Sequence, residues 1–202
     1  MNEYELSPLA NCQKLFRIAL IASVIIIHTA RGQQQIKVKD SIQMKSQIEA
    51  FYSWYVGIIK NQKLDGFEPG FVKQADGMTT LDFTNYKKEL TRYNFTHDFI
   101  QRKVNAYRPC VENLHKIPYE TFLTFQDLDE FERIACDFSN RYEWTGGMEP
   151  IDDAKLSRFK GIDKKTFAGY LEFTTGGRAN GGAVVIFRKM RSGWGIDGLE
   201  LK

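Results

Sequence analysis

The sequence predicts an α+β fold, with N-terminal helices packed on a curved antiparallel sheet that the C-terminal third of the chain mainly forms. Three segments rich in β-branched and aromatic residues, 167–175, 183–190 and 194–201, alternate with glycine-rich turns, which is typical of an antiparallel meander. Apolar residues or glycine occupy every second position of the first segment, as in a strand with one buried face. Most of the preceding sequence has helical periodicity, and helices would cover that face.

Size and charge indicate a single globular domain. The chain has 202 residues, of which 43% are hydrophobic and 13% aromatic, enough for a substantial core. Its formal net charge of +3 gives no reason to expect a nucleic acid or an anionic membrane as partner.

The start of the chain has the pattern of a secretory signal. Basic residues precede an apolar run at 18–27, and small residues follow at a typical cleavage position. We therefore expect a signal peptide over 1–32, a flexible lead-in over 33–39 and one domain over 40–202, located in the periplasm or secreted. The apolar run is short for a bilayer span, so no stable membrane anchor is expected after cleavage. Retention of the segment as an anchor is the alternative.

Helices are predicted to begin near Asp40 or Ser41, Thr84, Thr96 and Asp127. The first should end at Asn61 and bury a stripe of apolar residues at spacings of three and four: Met44, Ile48, Phe51, Tyr52, Tyr55 and Ile59. The last should bury Leu128, Phe131, Ile134, Ala135 and Phe138.

The segments between and after these helices are defined by glycine and proline. Residues 64–78 read as a loop, and Pro109 should end the helix that Thr96 begins. Residues 119–125 are able to form a strand, and a further strand is expected at 156–162.

Glycines also punctuate the meander. Residues 176–182 lack the spacing of a phosphate-binding loop and predict a mobile hairpin loop with Arg178 at its tip. In the last segment the apolar positions change phase at Gly198, which predicts a β-bulge there.

Two cysteines, Cys110 and Cys136, remain after the expected cleavage. In an exported chain they predict a single disulfide, and two buried free thiols are the alternative.

No catalytic or metal-binding pattern stands out. His97 and His115 have no motif around them and are expected in surface or irregular segments. The acidic residues Asp127, Asp129 and Glu130 lack the glycine and distal glutamate of a calcium loop, so they fit a helix N-terminus better. No cofactor and no metal are expected.

Aromatic residues offer the best candidates for ligand binding. Together with two charged residues they form a candidate set: Tyr52, Trp54, Tyr55, Phe173, Arg178, Trp194 and Asp197. Five of these seven are expected at the surface: Trp54, Tyr55, Arg178, Trp194 and Asp197. The rings could line an apolar cleft between the first helix and the sheet, or they could simply fill the core.

Several short patterns point to a family. The exported start, the aromatic segment 51–55, residues 126–129 before a helix and the terminal segment 193–199 resemble uncharacterised bacterial periplasmic proteins. That family is similar to the cystatin-like, nuclear-transport-factor-2-like α+β cone. The resemblance covers about 42–201 and implies a helix wrapped by a curved sheet. It implies no established activity, because the aspartate and histidine of ketosteroid-isomerase-like members have no matching positions here.

The function expected from these features is that of a secreted or periplasmic, non-catalytic binding domain. Its partner would be an unknown protein or a small apolar ligand in the envelope. One alternative is an immunity or inhibitor protein against an envelope-acting toxin. Another is a small hydrolase or isomerase that uses His97 or His115 in the cone. A homodimer through the open face of the sheet is left open.

Overall fold

The computed structural model describes residues 36–61, 68–136, 143–146 and 150–202. The expected signal peptide, the start of the lead-in, part of the loop expected at 64–78 and Phe138 lie outside the described residues. Ile36–Lys202 forms one compact unit.

Helices α1 to α6 span Val38–Asn61, Thr84–Arg92, His97–Ala106, Arg108–Leu114, Tyr119–Phe122 and Leu128–Arg133. Strands β1 to β6 span Gly70–Lys73, Thr79–Asp82, Asp153–Asp163, Thr166–Thr175, Arg178–Met190 and Gly193–Leu201. β1 and β2 form an antiparallel hairpin. The other four strands form an open antiparallel sheet in the order β3-β4-β5-β6. The α+β class predicted from the sequence is confirmed.

The long helix α1 matches its prediction closely. It begins two residues before Asp40 and ends at Asn61. Asp40 in its first turn and Lys60 in its last turn complement the helix dipole. Its buried side chains are Met44, Ile48, Phe51, Tyr52, Tyr55, Val56 and Ile58. A side-chain amide and a carboxylate of α1 also bond to the sheet backbone, since Gln47 donates to the Trp194 carbonyl at 2.9 Å and Glu49 accepts from the Leu156 amide at 3.1 Å.

The helices that follow α1 in the chain include both confirmed and revised elements. Thr96 caps α3 as predicted, because its hydroxyl accepts from the Phe99 amide at 3.2 Å. Thr84 is the first residue of α2, where Asp82 accepts from both its amide and its hydroxyl. α3 ends at Ala106, before Pro109, as predicted. Pro109 itself lies in the first turn of the next helix, α4, where its missing N–H costs no hydrogen bond.

Two segments differ from their predictions. The expected loop at 64–78 contains β1, and the expected strand at 119–125 begins instead as the helical turn α5. Thr79 explains part of this arrangement, since its amide and its hydroxyl both donate to the Ile117 carbonyl at 2.9 Å. The backbone at 117 is thus already paired with β2, while Pro118 begins the turn.

The β4–β5 connection is much tighter than predicted. Thr175 pairs directly with Arg178, so the turn consists of Gly176 and Gly177 alone, with φ of 58° and 74°. Positive φ at both central residues is what a type I′ hairpin requires, and glycine adopts it without strain. The mobile hairpin loop expected at 176–182 is therefore wrong, and residues 178–182 extend β5.

Alternation along β4 is confirmed, and so is the irregularity near Gly198. Phe167, Gly169, Leu171 and Phe173 are all buried. Ile186 pairs with Gly198 whereas the next residue, Phe187, pairs with Ile196, so Asp197 is the extra residue of a bulge. The strand expected at 156–162 is present and longer, as β3.

Candidate functional site

The aromatic candidates of α1 lie inside the core. Tyr52 and Tyr55 are buried, and the Tyr52 ring lies 5.1 Å from that of Phe173, which is also buried. The Tyr52 hydroxyl donates to the Trp144 carbonyl at 2.7 Å. Burial, followed by the nearby Tyr55, raises the pKa of Tyr52 well above its ordinary value. These rings fill the space between helix and sheet.

The remaining ligand-binding candidates do not form one site with Tyr52, Tyr55 and Phe173. Trp54 is half-buried, with its ring 5.2 Å from that of Tyr93. Trp194 is buried against Phe167, and Arg178 is exposed at the opposite end of β5. The surface location expected for Tyr55, Trp194 and Asp197 is wrong, because their burial puts them within the packed domain.

Asp197 forms a polar junction between the sheet and α3. The carboxylate is only 5% exposed and accepts from the Thr96 hydroxyl at 2.5 Å and from Arg188 Nε at 2.7 Å. The Arg102 guanidinium donates to the Asp197 carbonyl. The bulge turns Asp197 inward. Its carboxylate therefore bonds both to Thr96, the N-cap of α3, and to Arg188 of the sheet. These bonds give the carboxylate a structural role.

Both histidines lie on the surface. His97 is exposed in the first turn of α3, and His115 is exposed with its Nε2 3.2 Å from the Thr80 hydroxyl. Among the described residues, neither ring has a hydrogen bond or ion pair with a carboxylate. In that part of the chain no group of three or more His, Cys, Asp or Glu could hold a metal ion.

A half-buried polar cluster joins the segment 143–146 to α3. Lys103 forms an ion pair with Glu143, and the Tyr107 hydroxyl lies 3.5 Å from the same carboxylate. The Lys103 ammonium also lies 4.6 Å from the ring centroid of Trp144. Burial, followed by the charge of Glu143, raises the pKa values of Tyr86 and Tyr107. The cluster holds the buried Trp144 in place.

A second aromatic cluster reaches the surface where β1, α5 and α6 meet. Five rings form it: Phe71, Tyr119, Phe122, Phe125 and Phe131. The Phe122 ring is the centre, 4.5 Å from Phe71 and 5.5 Å from Phe125. Phe122 is buried, whereas the other four rings are only partly buried. Leu123, just after α5, is 59% exposed, and Leu128, the first residue of α6, is 68% exposed.

Acidic residues are concentrated on α6, the helix that supplies Phe131. Asp127, Asp129, Glu130, Glu132 and Arg133 line an open depression at the start of α6. Glu130 also closes a capping box, since its carboxylate accepts from the amides of Gln126 and Asp127, and these bonds lower its pKa. We call the exposed leucines, the partly buried rings and these carboxylates together the aromatic–acidic face.

Covalent and polar bonds hold this face on the domain. A disulfide joins Cys110 in α4 to Cys136, just after α6. The Asn113 side chain donates to the Ile134 carbonyl at 3.1 Å. α6 itself has no buried residue, so the stripe expected for it is wrong for Leu128 and Ala135, which are both exposed. The position of α6 therefore depends on these bonds and on the rings.

Sequence reasoning missed this face because 119–125 fitted a strand as well as a helix. A usable signal was present: Tyr119 and Phe122 are three residues apart, a spacing that lets two rings meet on one face of a helix.

No family model, curated protein or solved structure matches this chain. The candidate site is therefore defined by its own geometry. In the described part of the chain, no helix combines the length and apolar character needed to cross a membrane.

Proposed function

We propose that the protein is an exported, non-catalytic binding domain of the cell envelope, and that the aromatic–acidic face binds a protein segment with apolar and basic side chains. The observation that carries this proposal is the ring cluster at the junction of β1, α5 and α6, with two leucines more than half exposed beside it. Exposed apolar groups gathered in one place are typical of interaction surfaces.

Charge determines the kind of partner. Asp127, Asp129 and Glu132 extend from the same short helix that supplies Phe131. A partner segment with lysine or arginine beside its apolar side chains would meet complementary charge, and its cations could also approach the faces of the rings.

Rigidity supports binding at this place. The disulfide and the bond from Asn113 to the Ile134 carbonyl hold α6 against α4. A surface ordered before binding loses less conformational entropy when the partner arrives. The exposed positions of His97 and His115 give no support to the hydrolase or isomerase alternative.

Capture from an envelope extract by the full-length protein tests the proposal. We expect a protein that wild type retains to be lost by the double variant Leu123→Ser/Leu128→Ser. Leu201→Ser is the control, because Leu201 is 37% exposed but belongs to β6. The interaction should also weaken as salt is raised, since the acidic groups are exposed.

Equal capture by the double variant and by wild type would contradict the proposal. A protein captured by wild type can then be tested for toxic activity. Neutralisation of that activity by wild type and not by the double variant would narrow the function to toxin inhibition, whereas a non-toxic partner would support the general binding role.

A further inference from the structure

Three segments that are far apart in the sequence meet at one end of the domain. The Lys189 amide donates to the Lys165 carbonyl at 2.7 Å, which places the β3–β4 turn beside the end of β5. The Lys189 ammonium lies 3.6 Å from a carboxylate oxygen of Asp40, which places the start of α1 at the same end. A Cβ on Gly193 would clash with Gln43 Nε2, so the β5–β6 turn also contacts α1 there.

This end is strongly positive. Its three segments contribute six exposed cations: Lys37, Lys39, Lys164, Lys165, Lys189 and Arg191. Two carboxylates accompany them. Asp40 pairs with Lys189, and Asp163 accepts from the Lys165 amide at 2.7 Å. We call this surface the basic end.

Exposed aliphatic side chains belong to the same segments. Val38 is 75% exposed and Ile42 is 60% exposed. They are four residues apart in α1 and therefore lie on one face of the helix. Ile162, next to the β3–β4 turn, is also more than half exposed. Lone exposed aliphatic residues are ordinary, but three beside six cations form a surface with both apolar and basic character.

We infer that the basic end docks the domain on an anionic phospholipid bilayer, with Val38, Ile42 and Ile162 entering the headgroup region. Lysines close to an anionic surface attract it, and aliphatic groups gain by leaving water at the interface.

The chain that precedes this surface favours a bilayer over other polyanions. An apolar run at 18–27 is separated from Ile36 by eight residues, which can span at most about 28 Å. If the run is retained, it would keep the basic end near a membrane, and if it is cleaved, the exposed groups still suit a peripheral contact. Single-stranded nucleic acids usually need exposed rings for stacking, whereas the exposed apolar groups here are aliphatic.

Vesicle partitioning of the full-length protein tests this inference. The measured quantity is the ratio of partition coefficients for vesicles with 30% phosphatidylglycerol and for vesicles of phosphatidylcholine alone. Apolar insertion by residues 18–27 would contribute to both kinds of vesicle, so the ratio isolates the electrostatic part. Wild type should prefer anionic vesicles, and this preference should fall as salt is raised.

The decisive variant is Lys37→Gln/Lys39→Gln/Lys164→Gln. Each lysine should contribute about fivefold, so the ratio should fall by roughly a hundredfold. The matched control, Lys88→Gln/Lys116→Gln/Lys202→Gln, removes the same charge from exposed positions on other elements. It should retain most of the preference. Circular dichroism should show the same folded state for all three proteins, because every substituted side chain is exposed.

A second variant tests the apolar contribution. Val38→Ser/Ile42→Ser should weaken binding to anionic vesicles by about tenfold, and the loss should persist at high salt. The inference is overturned if wild type shows no preference for anionic vesicles or if the control lysine variant loses as much as the decisive one. Binding to a duplex oligonucleotide without binding to vesicles would also overturn it.

Discussion

Removal of the disulfide should loosen the aromatic–acidic face before it unfolds the domain. Cys110 and Cys136 are both buried and are 26 residues apart in the sequence. Closing a loop of that length reduces the entropy of the unfolded chain by an amount worth about 3.5 kcal/mol at 25 °C. We therefore expect Cys110→Ala/Cys136→Ala to lower the free energy of unfolding by about that amount, as measured by urea denaturation.

The structure also predicts where the effect is largest. α6 has no buried residue of its own, whereas α3 buries Phe99 and Ile100. After removal of the disulfide, α6 would be held by the partly buried rings and by the bond from Asn113 to the Ile134 carbonyl. Local opening should therefore become easier in α6 than in the rest of the domain.

Hydrogen exchange measured by mass spectrometry checks this directly. Peptides from 128–136 should exchange much faster in the double variant. The exchange rate of peptides from 97–106 should rise only as much as the global loss of stability requires. Reduced wild type is the control, since it lacks the bond but keeps both sulfur atoms. A uniform increase across the domain would refute the local anchoring of α6. An unchanged urea midpoint would refute the energetic estimate.

Two further predictions concern buried polar groups. Asp197→Asn should lower the free energy of unfolding by about 2 kcal/mol, because it removes a charge-assisted bond to the exposed Arg188. Glu172→Gln on the exposed strand surface is the near-neutral control. An equal effect of both changes would contradict the structural role of Asp197. Burial raises the pKa values of Tyr52, Tyr86 and Tyr107, so these rings stay protonated above pH 10 in the folded state and lose protons in the unfolded state. Stability should thus be retained below about pH 10 and fall as pH rises further, and ultraviolet titration should show these tyrosines ionising only with unfolding. Their ionisation in the folded protein near pH 10 would refute this.

Local pattern determined the elements whose periodicity is strong. The stripe of α1 and the alternation of β4 are short-range features, and each depends on which face of a single element is apolar. The cap at Thr96 and the bulge beside Gly198 are similarly local. All four were predictable.

The local sequence pattern did not predict the structure of segments whose residues suit more than one kind of secondary structure. Tyr119–Phe122 forms a helical turn where the preceding backbone is paired with β2, a contact made across 38 positions. The glycines after β4 predicted a loop, but pairing of Thr175 with Arg178 reduced it to two residues. Pairing between β4 and β5 decided the register of the two strands and the length of the turn between them.

The amino-acid sequence alone determined the α+β class, the long aromatic helix and the meander, because the spacing of apolar residues is written within each element. Only the tertiary structure decided which surfaces those elements create. A net charge of +3 conceals a cluster of six cations, because Lys39, Lys165 and Arg191 become neighbours only when the strand turns meet the start of α1. Charge is additive along a chain, whereas an electrostatic surface depends on distances that folding sets.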